Sequence, residues 1–137
     1  MIYTSYFGKM KTIYAADRTA VFCAICGGLP AWFDGSWYKK AAPKLSWWKQ
    51  WHDTYAGHYE SEEAKNYYTT CYKNTVLDKL CKSMVIEELR DIADGNNLYL
   101  LCFETPEKFC HRHLFADWLN TALDEKIIEW SKNENKN

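Results

Sequence analysis

Two continuous apolar runs constrain the fold of this chain more than any other feature. Residues 19–26 read TAVFCAIC and run into Gly27-Gly28; residues 98–104 read LYLLCFE. Runs of this length, closed by turn residues, suit strands buried on both faces, as in a parallel sheet. A third stretch, IYTSY at residues 2–6, reads as another strand. Helical patterns lie between them. Ser61, followed by Glu62 and Glu63, supplies an N-cap and acidic first-turn residues for a helix running toward Val76. Ser83 is expected to cap a further helix that stops at Gly95, and residues 45–51 predict one or two helical turns. Strands separated by helices define an α/β chain: a single domain over residues 1–130, with a mostly parallel, Rossmann-like sheet flanked by helices. A polar tail at residues 131–137 is expected to be disordered. Ligands of such sheets sit beyond the carboxyl ends of the strands. The ends at Cys26 and Cys102 are therefore expected to meet at one edge.

Charge excludes some partners. With 17 basic and 18 acidic residues the net charge is −1, so long nucleic acid and anionic membrane surfaces are not expected to bind. No run approaches the length of a membrane span, and the opening MIYTSYFGKMK has no apolar leader core. A cytoplasmic location is expected, with the six cysteines mostly reduced and no disulfide framework. Cys23 and Cys26 are spaced C-x-x-C, but positions three apart on a strand face opposite sides, which weakens a zinc or redox reading. Neither a metal nor a cofactor is expected.

The segment FCHRHLFADWL, residues 109–119, carries the densest chemistry. Phe115, Trp118, Leu119 and Ala122 share one helical face, and His111 leans toward it. Arg112 is rotated from His111 by about 100°. If the helix begins at Cys110, unpaired amides and the helix dipole favour a thiolate or a bound anion there. Thr105-Pro106-Glu107 is an alternative helix start that would bury Cys110 one turn in. Four readings stay open: a reactive thiolate with Arg112 as anion clamp, a noncovalent ligand edge, a metal site using Cys102, Cys110, His111 or His113, and plain core packing. Adjacent helical residues diverge, so a direct Cys110–His111 pair is expected to be strained. His52 or His58 is an alternative partner for the thiol.

Composition matters at residues 29–44, LPAWFDGSWYKKAAPK, expected to be a long irregular loop. The chain is 17% aromatic. Here Trp32, Phe33, Trp37 and Tyr38 interleave with Lys39, Lys40 and Lys44, a pattern that stacks a flat ring while pairing a phosphate. Trp47, Trp48 and Trp51 extend it, and they equally suit a core or a homo-oligomer interface.

The segment LLCFETPEKFCHRHLFADWL resembles the signature of the domain of unknown function 488 family, in which an apolar strand ending Leu-Leu-Cys-x-Glu leads through a short Pro-containing link to Cys-His-Arg. IYTSYFGKMK and LPAWFDGSWYKKAAPK resemble its N-terminal strand and its Pro-x-Trp-Phe-x-Gly loop. The resemblance spans most of residues 1–123. It implies Cys102, Glu104, Cys110, His111 and Arg112 as site positions, with Ser5, Tyr6, Trp32, Tyr38 and Lys39 as companions. It names no reaction, and since the family includes phage members it is compatible with a phage source.

The leading expectation is a site for a small, anionic, nucleotide-like ligand, serving to sequester a signalling nucleotide. Arg112 and Lys39 would hold its phosphate, Trp32 or Tyr38 its ring, and Glu104 a hydroxyl or base N–H. The alternative is an enzyme that modifies a nucleoside, nucleotide or exposed base, with Cys110 as nucleophile and His111 as base. A third reading is a protein-interaction module.

Overall fold

The computed structural model describes residues 1–132, and the expected tail lies, from residue 133 on, outside the described residues. The apolar runs become the centre of a five-stranded, all-parallel sheet. Its strands are β1 (Ile2–Tyr6), β2 (Val21–Ala24), β3 (Ser36–Trp37), β4 (Leu98–Cys102) and β5 (Ile128–Glu129), in the order β3-β2-β4-β1-β5. Strand β4 is buried along its whole length, as its unbroken apolar sequence requires.

Alternation along β4 divides the core in two. Leu98 and Leu100 face a large cluster with Trp47, Trp51, Tyr68, Tyr72, Leu89 and Phe115. Those side chains come from α2 (Leu45–Thr54), α3 (Glu62–Thr75), α4 (Lys82–Ala93) and α5 (His111–Asn120). Tyr99 and Leu101 face a smaller cluster with Tyr3, Phe7, Phe33 and Ile13, the last from α1 (Met10–Ala16). Among the described residues no helix is long and apolar enough to cross a membrane.

Local signals explain two of the helix ends. The Ser61 hydroxyl accepts from the Ala64 amide at 3.1 Å and caps α3. Helix α4 stops where Asp94 and Gly95 take positive φ values of 50° and 84°. Helix α5 ends at Asn120, and Ile128–Glu129 form β5 against β1. The structure corrects two expectations. Helix α4 is capped by Cys81 rather than Ser83. Residues 29–44 are not a free loop: they contain β3 and a 3-10 turn, Lys39–Ala41.

Candidate active site

The carboxyl ends of β2 and β4 open into a cleft of about 940 Å³, within the range of small-molecule sites. Its floor combines Cys26 and Gly27 after β2, Cys102 at the end of β4, and Cys110 with His111 at the start of α5. Trp48, His52, Tyr59 and Glu60 wall it from the α2–α3 side, and Phe103, Lys108 and Phe109 wall it from the β4–α5 connection. The Glu60 carboxylate accepts from the Phe109 amide at 3.0 and 3.1 Å, which ties the two walls together.

Cys110 is the N-cap of α5, in extended conformation with φ −152° and ψ 144°. It therefore stands outside the helix, and the expected 100° divergence from His111 does not apply. Instead His111 Nδ1 lies 3.9 Å from Cys110 Sγ, while His111 Nε2 lies 2.6 Å from the Ile25 carbonyl oxygen. A carbonyl can only accept, so Nε2 carries the ring proton. Burial pushes His111 down from 6.5 to about 4, the Ile25 hydrogen bond partly opposing it. The ring is thus neutral near pH 7, and its Nδ1 lone pair faces the Cys110 sulfur. A cysteine, a neutral imidazole and a backbone group that orients the ring form the arrangement general-base activation of a thiol requires.

Arg112 does a different job. It is fully buried, and its Nε and Nη2 donate to the two oxygens of Glu129 on β5, at 3.1 and 3.0 Å. Its Nη1 donates to the Glu104 carbonyl at 2.6 Å and meets Cys102 Sγ at 2.9 Å. Every arm of the guanidinium is engaged within the protein, and Arg112 does not line the cleft. The expected anion clamp is therefore absent from that position.

Cys102 and Cys110 are paired sulfur to sulfur. Cys23, Cys26, Cys71 and Cys81 are free. Cys26 also faces the cleft, but burial pushes its thiol up to about 11, and it donates to the Gly28 carbonyl at 3.0 Å. It stays protonated and is a poor nucleophile. Among the described residues no group of three or more His, Cys, Asp or Glu is placed to hold a metal.

Of the remaining expected site residues, Glu104 lies on the cleft rim. Ser5 is buried in β1 opposite Leu101, and Tyr6 stands opposite Cys102 in the strand register. Trp32 is 63% exposed and packs edge-on against Phe7 and Phe33. Tyr38 is buried, its hydroxyl bonded to Glu88, and Lys39 sits over the Trp37 ring. Of these six, Glu104 lines the cleft and the other five do not. His52 and His58, the alternative partners for the thiol, are both in its lining. Sequence reasoning reached Tyr59 only as an extension of the aromatic pattern and passed over Glu60, Lys108 and Phe109. Lys108 and Phe109 sit inside the quoted signature; Tyr59 and Glu60 follow a Gly57 with φ 81°, a turn signal that could have marked a returning wall.

Fold and site together define a single-domain, parallel α/β protein with a cysteine–histidine pair at the carboxyl edge of its sheet. The chain belongs to the domain of unknown function 488 family: the family model described as the Active DUF488-N3 subclade matches residues 20–123, which include every residue of the cleft floor. Searches of curated proteins and of solved structures find no match.

Proposed function

We propose that the chain is a cysteine-dependent enzyme that modifies a nucleotide-like small molecule held in this cleft. The observation that carries the reading is the alignment of the Ile25 carbonyl, the His111 ring it orients at 2.6 Å, and Cys110 Sγ, 3.9 Å from His111 Nδ1. In the reduced protein, Cys110 Sγ attacks an electrophilic carbon of the ligand while His111 Nδ1 takes the thiol proton. The low proton affinity of His111 disfavours a resting thiolate–imidazolium pair, so proton transfer accompanies attack. The amides of the first turn of α5 favour the negative charge that develops beside Cys110.

The cleft lining fits the ligand class. Trp48, Tyr59 and Phe103 offer faces for a flat ring, Lys108 a cation for an anionic group, and Glu104 an acceptor for a hydroxyl or base N–H. One lysine and two histidines suit a small anion, not a polyphosphate chain or a long strand. The matched subclade's description as active is in keeping with a catalytic role.

The test is incubation of the fully reduced protein with a mixed nucleoside and nucleotide library, followed by native mass spectrometry and analysis of the free pool. A change in the pool that Cys110→Ser abolishes supports the enzyme. A nucleotide retained unaltered by both proteins overturns it in favour of a binder.

A further inference from the structure

The nucleophile of the proposed dyad and one half of the sulfur pair are the same atom, Cys110 Sγ. The pair and the dyad therefore exclude one another: while Cys110 is bonded to Cys102 it has no proton to give His111 and cannot become the thiolate that attacks a ligand. The two sulfurs are also not equivalent. Arg112 Nη1 stands 2.9 Å from Cys102 Sγ, whereas the ring of His111 faces Cys110. A guanidinium beside a sulfur stabilises it as thiolate, which makes Cys102 the better leaving group when the pair is opened. Both sulfurs line a cleft open to small molecules.

From this asymmetry we infer that Cys102 is the resolving thiol of Cys110, and that hydroperoxides close the pair and switch the site off while dithiols reopen it. The inference rests on the reading of Cys110 as the nucleophile. In the closing direction the Cys110 sulfur attacks the terminal oxygen of the hydroperoxide. The O–O bond breaks, an alcohol or water departs, and Cys110 becomes a sulfenic acid. Cys102, with Arg112 Nη1 2.9 Å away to stabilise the negative charge, gives up its proton and attacks the sulfenic sulfur. The S–S bond forms, the S–O bond breaks, and hydroxide leaves to be protonated as water. Two thiols and one hydroperoxide thus give one disulfide, one alcohol and one water. In the opening direction a thiolate of the dithiol attacks Cys110 Sγ, and the electron pair of the broken S–S bond departs on Cys102 toward Arg112. The second thiol of the dithiol then displaces Cys110 and closes its own disulfide. Cys102 in this scheme protects Cys110 from the irreversible sulfinic acid.

The experiment uses the full chain carrying Cys81→Ser, because Cys81 is exposed and would form bridges between molecules. Reduced protein is treated with one equivalent of hydrogen peroxide, without nucleotide, and its peptides are mapped by mass spectrometry. The expected result is a Cys102–Cys110 bridge that dithiothreitol reverses. In Cys102→Ser, dimedone should capture Cys110, and without dimedone Cys110 should pass to a sulfinic acid that dithiothreitol leaves in place. The inference is overturned if Cys110 carrying its natural partner reaches the sulfinic acid as fast as in Cys102→Ser, or pairs with another cysteine. The parent chain decides this alone should the variant misfold. The readout is mass and not turnover, so a failure of the proposed nucleotide chemistry and a failure of the resolving thiol give different results.

Discussion

His111 and Arg112 are neighbours in sequence, both buried, and they serve opposite sides of the molecule. His111 reaches across the carboxyl edge to β2 and faces the cleft as a neutral ring. Arg112 turns toward the far edge of the sheet, where a two-oxygen ion pair with Glu129 fastens β5 to α5. Helical rotation of about 100° separates them. One residue of offset thus divides the Cys-His-Arg motif into a half that faces the cleft, proposed to be reactive, and a half that fastens β5. A charge in a motif is not by itself a ligand contact; its partners decide what it does.

The sharpest way to break this comparison is at Arg112. Replacing it with alanine strands the half-buried Glu129 carboxylate and frees β5, so we expect a loss of about 3–5 kcal/mol in chemical unfolding. An Arg112→Ala variant of unchanged stability but weakened ligand binding would return Arg112 to the role of anion clamp. The reactive half is tested by Cys110→Ser, expected to lower turnover about a thousandfold or more while the far-UV circular dichroism stays that of the parent chain.

Acid provides a third test. The folded-state value of His111, about 4, lies below its ordinary 6.5. Between these limits the unfolded chain binds the proton first, so stability present above pH 6.5 is lost as pH falls toward 4, by roughly 3 kcal/mol. Urea titrations across this window should show that slope, and His111→Gln should flatten it. The smallest effect is expected in the lysine-rich segment. Lys39→Ala should change stability by less than about 0.5 kcal/mol and leave ligand affinity untouched, whereas Lys108→Ala should weaken it, both measured by calorimetry with the ligand that the library identifies.

Residue pattern made the sheet legible. The runs around Cys23 and Leu100 are apolar throughout because both faces of these strands are covered, and that requirement is written locally. The meeting of the two strand ends followed from the topology of parallel sheets. The role of residues 29–44 was not legible. Their rings and lysines have the composition of a ligand wall, yet Tyr38 and Lys40 are spent on Glu88 of α4, 50 and 48 residues away. Nothing local announces such a partner. The same holds for Arg112, whose destination depends on Glu129 and on a two-residue strand too short to carry a period. The Cys110–His111 geometry turned on where α5 begins. Two start signals competed in the sequence, and a one-residue difference moves Cys110 from the helix to its cap.

The central claim is that His111 activates Cys110, and alkylation tests it most directly. Reduced protein would be treated with iodoacetamide at neutral pH and the rate at each cysteine followed by peptide mass spectrometry. Cys110 should react ahead of Cys23 and Cys26, whose thiols burial pushes up to about 11, and His111→Gln should slow Cys110 tenfold or more. A Cys110 that reacts only when the protein unfolds, at the same rate with or without His111, would contradict the account.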